Sequence, residues 1–109
     1  MMQHIHRTMN YYIETFGCQM NKGDSDLMSI SLEASGFKKT DIVSDADIVV
    51  YNTCSVRQHA EDRAIAKITN TKNADLKKNG IIIVAGCMAQ RLGDTLIHDN
   101  IADFVIGPY

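Results

Sequence analysis

Asp47-Ile48-Val49-Val50-Tyr51-Asn52-Thr53-Cys54 is the stretch that decides the fold. Ile48, Val49, Val50 and Tyr51 are apolar without alternation, so a strand made of them is covered on both faces, as in a buried parallel sheet. The same pattern recurs on either side. Tyr11-Tyr12-Ile13-Glu14-Thr15-Phe16 runs into Gly17-Cys18, and Ile81-Ile82-Ile83-Val84-Ala85 runs into Gly86-Cys87. Successive cysteines are one βα unit apart, a unit that takes about 30 residues or more. In a parallel sheet the carboxyl ends of the strands share one edge, and ligands bind there. Three thiols distant in sequence are therefore expected on a single rim.

Working outward, Tyr11–Phe16 is expected as the first strand and Gly17–Gly23 as a polar loop. Asp24 is then a good N-cap for a helix reaching Ser35, with Gly36 ending it. Leu27, Ile30, Ser31 and Ala34 give that helix a core stripe, widened by Met28 and Leu32. Phe37–Asp41 reads as a short edge strand with two lysines that discourage pairing. Ser55 and Gln58 form a capping-box pattern, and the helix they open runs to Lys72, with Ala60, Ala64, Ile65 and Ile68 inward. Asn73–Gly80 is a polar connection. A third helix starts near Met88 and places Met88, Leu92 and Leu96 on one face. Phe104–Ile106 is the last strand. The alternation predicts an α/β fold: a three-layer, doubly wound, mostly parallel sheet of about five strands, flavodoxin/Rossmann-like, in order 2-1-3-4-5.

At 109 residues the chain has room for one core. Residues 1–10 read as a flexible lead-in, 11–107 as the domain, and 108–109 as the start of a linker. A net charge of −2 argues against a nucleic-acid clamp. No stretch has the length and apolarity of a membrane span. Three widely spaced cysteines cannot complete a disulfide framework and fit a reducing cytoplasm.

A single free cysteine is as readily a small core residue as a ligand. The joint placement of Cys18, Cys54 and Cys87, two of them after glycine, points instead to a metal or cluster. Helices opening just after Cys54 and Cys87 direct their amino ends at the rim and favour an anionic group there. Two choices stay open. Zinc needs a fourth ligand, for which His59 and His98 are the histidines away from the amino terminus. A 4Fe-4S cluster on three thiolates leaves one iron free. Asn21 and Asn52 are rim amides that serve turn chemistry or bond to a cluster or substrate. Arg57 and Arg91 face a bound anion or form surface ion pairs, while Asp24 and Asp26 are better explained by capping. A thiol redox protein is a further class, though no Cys-x-x-Cys occurs.

Thr15-Phe-Gly-Cys-Gln-Met-Asn21, Asp24-Ser-Asp26, Asp45-Ala-Asp-Ile-Val-Val-Tyr-Asn-Thr-Cys-Ser-Val-Arg57 and Ala85-Gly-Cys-Met-Ala-Gln-Arg91 together resemble the N-terminal domain of radical-SAM methylthiotransferases. The likeness runs from Tyr11 to Gly107. Its wording is most similar to the branch acting on isopentenylated adenosine beside the tRNA anticodon; other branches act on threonylcarbamoyl-adenosine or on a ribosomal protein. The resemblance implies an auxiliary 4Fe-4S cluster on Cys18, Cys54 and Cys87. It also implies a second 4Fe-4S cluster and S-adenosylmethionine in a radical-SAM domain, whose Cys-x-x-x-Cys-x-x-Cys motif is not in this sequence. By the same likeness tRNA and the remainder of a longer polypeptide are the partners. The 109-residue chain by itself would then be inactive, and a monomer or weak dimer.

Overall fold

The computed structural model describes residues 8–16, 19–53 and 58–107; for residues 19–21 and 58–60 it describes the backbone course alone. In chain order the elements are β1 (Asn10–Thr15), α1 (Gln19–Ala34), β2 (Lys38–Lys39), a 3-10 turn (Val43–Asp45), β3 (Ile48–Thr53), α2 (Gln58–Asn70), a π-helical turn (Thr71–Asp75), β4 (Ile81–Gly86), α3 (Cys87–His98) and β5 (Phe104–Ile106). All neighbouring strands pair in parallel, in the order β2-β1-β3-β4-β5. The expected α/β architecture and strand order are both present.

The order reverses direction between β1 and β3, and right-handed crossovers then place the connecting helices on opposite faces. Helices α2 and α3 cover one face, where Ala64, Ile68, Met88 and Leu96 meet Val49, Tyr51, Ile82 and Val84. On the other face α1 brings Met28 and Leu32 against Ile13, Val50, Ile83 and Ala85. Alternate residues of each strand thus serve alternate faces, which is why the strands had to be apolar throughout.

Each end of the sheet has its own chemistry. At the amino end two aspartates stand one residue ahead of a strand and clasp its neighbour. Asn10 N donates to Asp47 Oδ2 at 2.7 Å while Asp47 N donates to Asn10 O at 2.8 Å. Ile82 N donates to Asp103 Oδ2 at 2.8 Å while Asp103 N donates to Ile82 O at 2.9 Å. Asp47 also pairs with Lys77 at 2.9 Å.

Three expectations are corrected. Helix α1 begins at Gln19, so Asp24 lies a turn inside it and is not its cap, and residues 19–23 are not a loop. Gln, Met and Lys are good helix formers, and the single Gly23 costs only about 1 kcal/mol. The inward row of α1 is Ser25, Met28 and Leu32, while Leu27, Ile30, Ser31 and Ala34 face outward. One residue turns a helix by about 100°, so two apolar rows one residue apart cannot both face the sheet. Finally, the helical path after β3 continues past Lys72 through the π turn to Asp75, where Thr71 is buried against the Tyr51 hydroxyl at 2.5 Å. Ser55, expected as the cap of α2, lies outside the described residues.

Candidate functional site

Strands β1, β3 and β4 are adjacent, and their register aligns Thr15 with Asn52 and Asn52 with Ala85. Phe16 N extends the first pairing by donating to Asn52 O at 2.8 Å. Thr53 and Gly86 are register partners, the last residues of β3 and β4, and each immediately precedes a candidate cysteine. Of the three cysteines, Cys87 lies among the described residues; it is a free, exposed thiol at the carboxyl edge. Cys18, Cys54 and Arg57 lie outside the described residues, as do the side chains of Asn21 and His59.

Gly86 makes the position of Cys87 possible. Its φ of 92° belongs to the left-handed region, and a Cβ on it would stand 2.2 Å from Thr53 O and 2.8 Å from Asn52 Oδ1. Only glycine lets the β4 backbone lie so close to β3 at this point. Helix α3 starts at Cys87 itself, so the thiol sits in the first turn beside free amide groups that favour an anionic ligand. An accessible thiol that follows a glycine, at a helix amino end, is suited to holding a metal or cluster.

Beneath the rim runs a polar seam. Thr15 Oγ1 and Ser25 Oγ are 2.6 Å apart, Asn52 Nδ2 donates to Ser25 Oγ at 3.1 Å, and Thr53 Oγ1 donates to Ala85 O at 2.6 Å. Asn52 and Thr53 are fully buried, so Asn52 ties α1 to the strand ends from below. In the sequence Ser25 is masked by its neighbours, since Asp24 and Asp26 carry the capping pattern. Its spacing to Met28 was the available signal.

Arg91 stands one turn beyond Cys87 and reaches across to α2. Its Nε donates to Glu61 Oε2 at 3.0 Å and its Nη2 to Glu61 Oε1, a bidentate pair. The Glu61 hydrogen bonds and charge push the Arg91 pKa further up, keeping the guanidinium charged. Glu61, nearly fully buried, had no signal in the sequence, since a glutamate in a first helical turn ordinarily faces water. The pair fastens the first turn of α2 to the second turn of α3, next to the strand ends that lead to Cys54 and Cys87.

His98 does not belong to this edge. It lies at the far end of α3, exposed beside Asp99 at 3.2 Å. Eleven helical steps lead to it from Cys87, a distance of about 16 Å. The zinc alternative therefore loses one of its two histidines. Among the described residues no group of three or more His, Cys, Asp or Glu side chains could hold a metal ion. Among them, too, no helix is long and apolar enough to cross a membrane.

The fold and edge define a class: a doubly wound α/β domain presenting a thiol at the carboxyl end of its sheet. The family described as uncharacterized protein family UPF0004 matches residues 10–107, and the chain belongs to it. A tRNA-2-methylthio-N(6)-dimethylallyladenosine synthase of Azobacteroides pseudotrichonymphae is 42% identical over 98 residues, 89% of this chain and 22% of that protein. Proteins of the same name are 40% identical over 98 residues in Parabacteroides distasonis (89% and 21%) and 47% identical over 89 residues in Endomicrobium trichonymphae (81% and 21%). The chain thus spans about a fifth of the length of the curated relatives it matches.

Proposed function

We propose that Cys18, Cys54 and Cys87 hold an auxiliary 4Fe-4S cluster, and that the domain serves a tRNA methylthiotransferase. The observation that carries this is the pairing of Thr53 with Gly86, which brings the residues preceding Cys54 and Cys87 side by side at the edge. The substrate is isopentenylated adenosine beside the anticodon, in keeping with the names of the relatives. Three thiolates leave one iron without a protein ligand, and that iron supplies a place for the sulfur to be inserted.

The chain's own residues prepare the edge. Gly86 sets the backbone of Cys87, the Thr15–Ser25–Asn52 seam fixes the strand ends, and Glu61–Arg91 ties the two helix starts. S-adenosylmethionine and a second 4Fe-4S cluster belong to the rest of a longer, cytoplasmic polypeptide, as does most of the grip on tRNA. Residues 1–109 alone are then inactive in methylthiolation.

Anaerobic reconstitution with iron and sulfide tests the reading. A brown protein with about four irons per chain is expected, lost on Cys87→Ala. Colourless protein, or stoichiometric zinc that survives chelation, would overturn it. In the complete enzyme Cys18→Ala, Cys54→Ala or Cys87→Ala should abolish methylthiolation while cleavage of S-adenosylmethionine persists.

A further inference from the structure

The backbone ladder stops where the thiols begin. Thr53 and Gly86 are the last register partners of β3 and β4, and the chain leaves the sheet after each. Two helices take over, and an ion pair joins them. Glu61 stands in the first turn of α2, seven positions after Cys54 in the chain. Arg91 stands in the second turn of α3, four positions after Cys87, which puts guanidinium and thiol on one side of that helix. The Glu61 side chain is 2% exposed and that of Arg91 54%.

Stability does not explain a charge at this place. Taking a carboxylate out of water is costly, and apolar residues of similar size commonly fill the position of a buried ion pair as well or better. Ala64 and Ile68 of α2 and Met88 and Ala89 of α3 already bury this face with apolar contacts. What an apolar couple lacks is direction. Arg91 Nε donates to Glu61 Oε2 at 3.0 Å and its Nη2 to Oε1, and two parallel bonds fix both the distance and the rotation of one helix against the other. We infer that Glu61 and Arg91 are positioning residues: their fork sets the first turn of α3, which carries Cys87, against the segment that runs from Cys54 into α2. The inference rests on the proposed cluster and adds that stability is given up here for thiol geometry.

The rate at which a chelator strips iron from the reconstituted chain, read beside Tm, tests it. Glu61→Met combined with Arg91→Leu should keep Tm at or above the wild-type value. The same variant should lose iron about tenfold faster, the usual cost of removing a partner behind a metal ligand. Arg91→Lys keeps the charge but cannot make the fork, so it too should release iron severalfold faster. Lys77→Met breaks the pair with Asp47 at the opposite end of the sheet and should release iron at the wild-type rate. Wild-type retention in the double variant or in Arg91→Lys would overturn the inference and leave the cluster standing. A double variant whose Tm falls with its iron would overturn it as well, because the pair would then be a prop of the fold. Faster release from Lys77→Met would do the same, by showing that any broken ion pair suffices. A wild-type chain that takes up no iron would overturn the cluster and this inference together.

Discussion

The two faces of this sheet are built from the same strands and differ in how far they are finished. Val49, Tyr51, Ile82 and Val84 on the α2/α3 side are sealed, whereas on the α1 side the cover thins from β3 to β5 until Phe104 and Ile106 meet solvent. The closed face holds the larger buried cluster, and the open one leaves apolar side chains exposed. Two adjacent residues of β4 measure the difference. Ile82→Ala should cost about 3–4 kcal/mol, the value for a buried isoleucine in a core that cannot collapse. Ile83→Ala, half-buried on the open face, should cost about 1–2 kcal/mol. Urea midpoints of the two variants decide it, and equal losses would mean that the faces are equally closed.

Gly86→Ala probes the strand end between the faces. A left-handed φ and a Cβ pressed on Thr53 O should together cost about 3 kcal/mol and shift the start of α3. Thermal unfolding reads the loss, and reconstituted iron should fall with it. Arg91→Ala removes the bidentate partner of buried Glu61 and should lower Tm less than Gly86→Ala, with Arg91→Lys between it and wild type.

A further effect is with pH. Burial, then the Glu14 carboxylate, pushes the pKa of Tyr12 up to about 12 from 10.0. A raised value means the folded state holds the proton more tightly. That contribution is complete below pH 10 and is lost as pH climbs from 10 toward 12. Urea midpoints followed with tyrosinate absorbance should stay flat to about pH 10 and decline above it.

Strands β3 and β4 were legible because short β-branched runs without alternation suit strands covered on both faces, whereas the order came from the flavodoxin-like alternation of strands and helices. Helix α3 was legible for a related reason: Met88, Leu92 and Leu96 form a single apolar row. Helix α1 carries two rows, Leu27 with Ile30 and Met28 with Leu32, and periodicity alone cannot choose between them. The choice belongs to Ser25, whose hydroxyl is held inward by Thr15 and Asn52. The outward row, a mistake when read as core, is the clue to the open face. At the site, the edge position of Cys87 followed from a Gly-Cys pair ending an apolar run. Glu61 stayed hidden because burial of an acid depends on Arg91, thirty positions away in sequence.

The paired aspartates at the opposite end have a consequence for assembly. Ala46-Asp47-Ile48 and Ala102-Asp103-Phe104 repeat one short phrase, and in each the carboxylate takes the amide of a particular residue on the neighbouring strand. A slip of one position would leave that amide without its acceptor and turn every side chain of the strand to the wrong layer. These two phrases work as alignment marks at the amino end of the sheet. Strand frame is thereby settled at the opposite end of the sheet from Cys87.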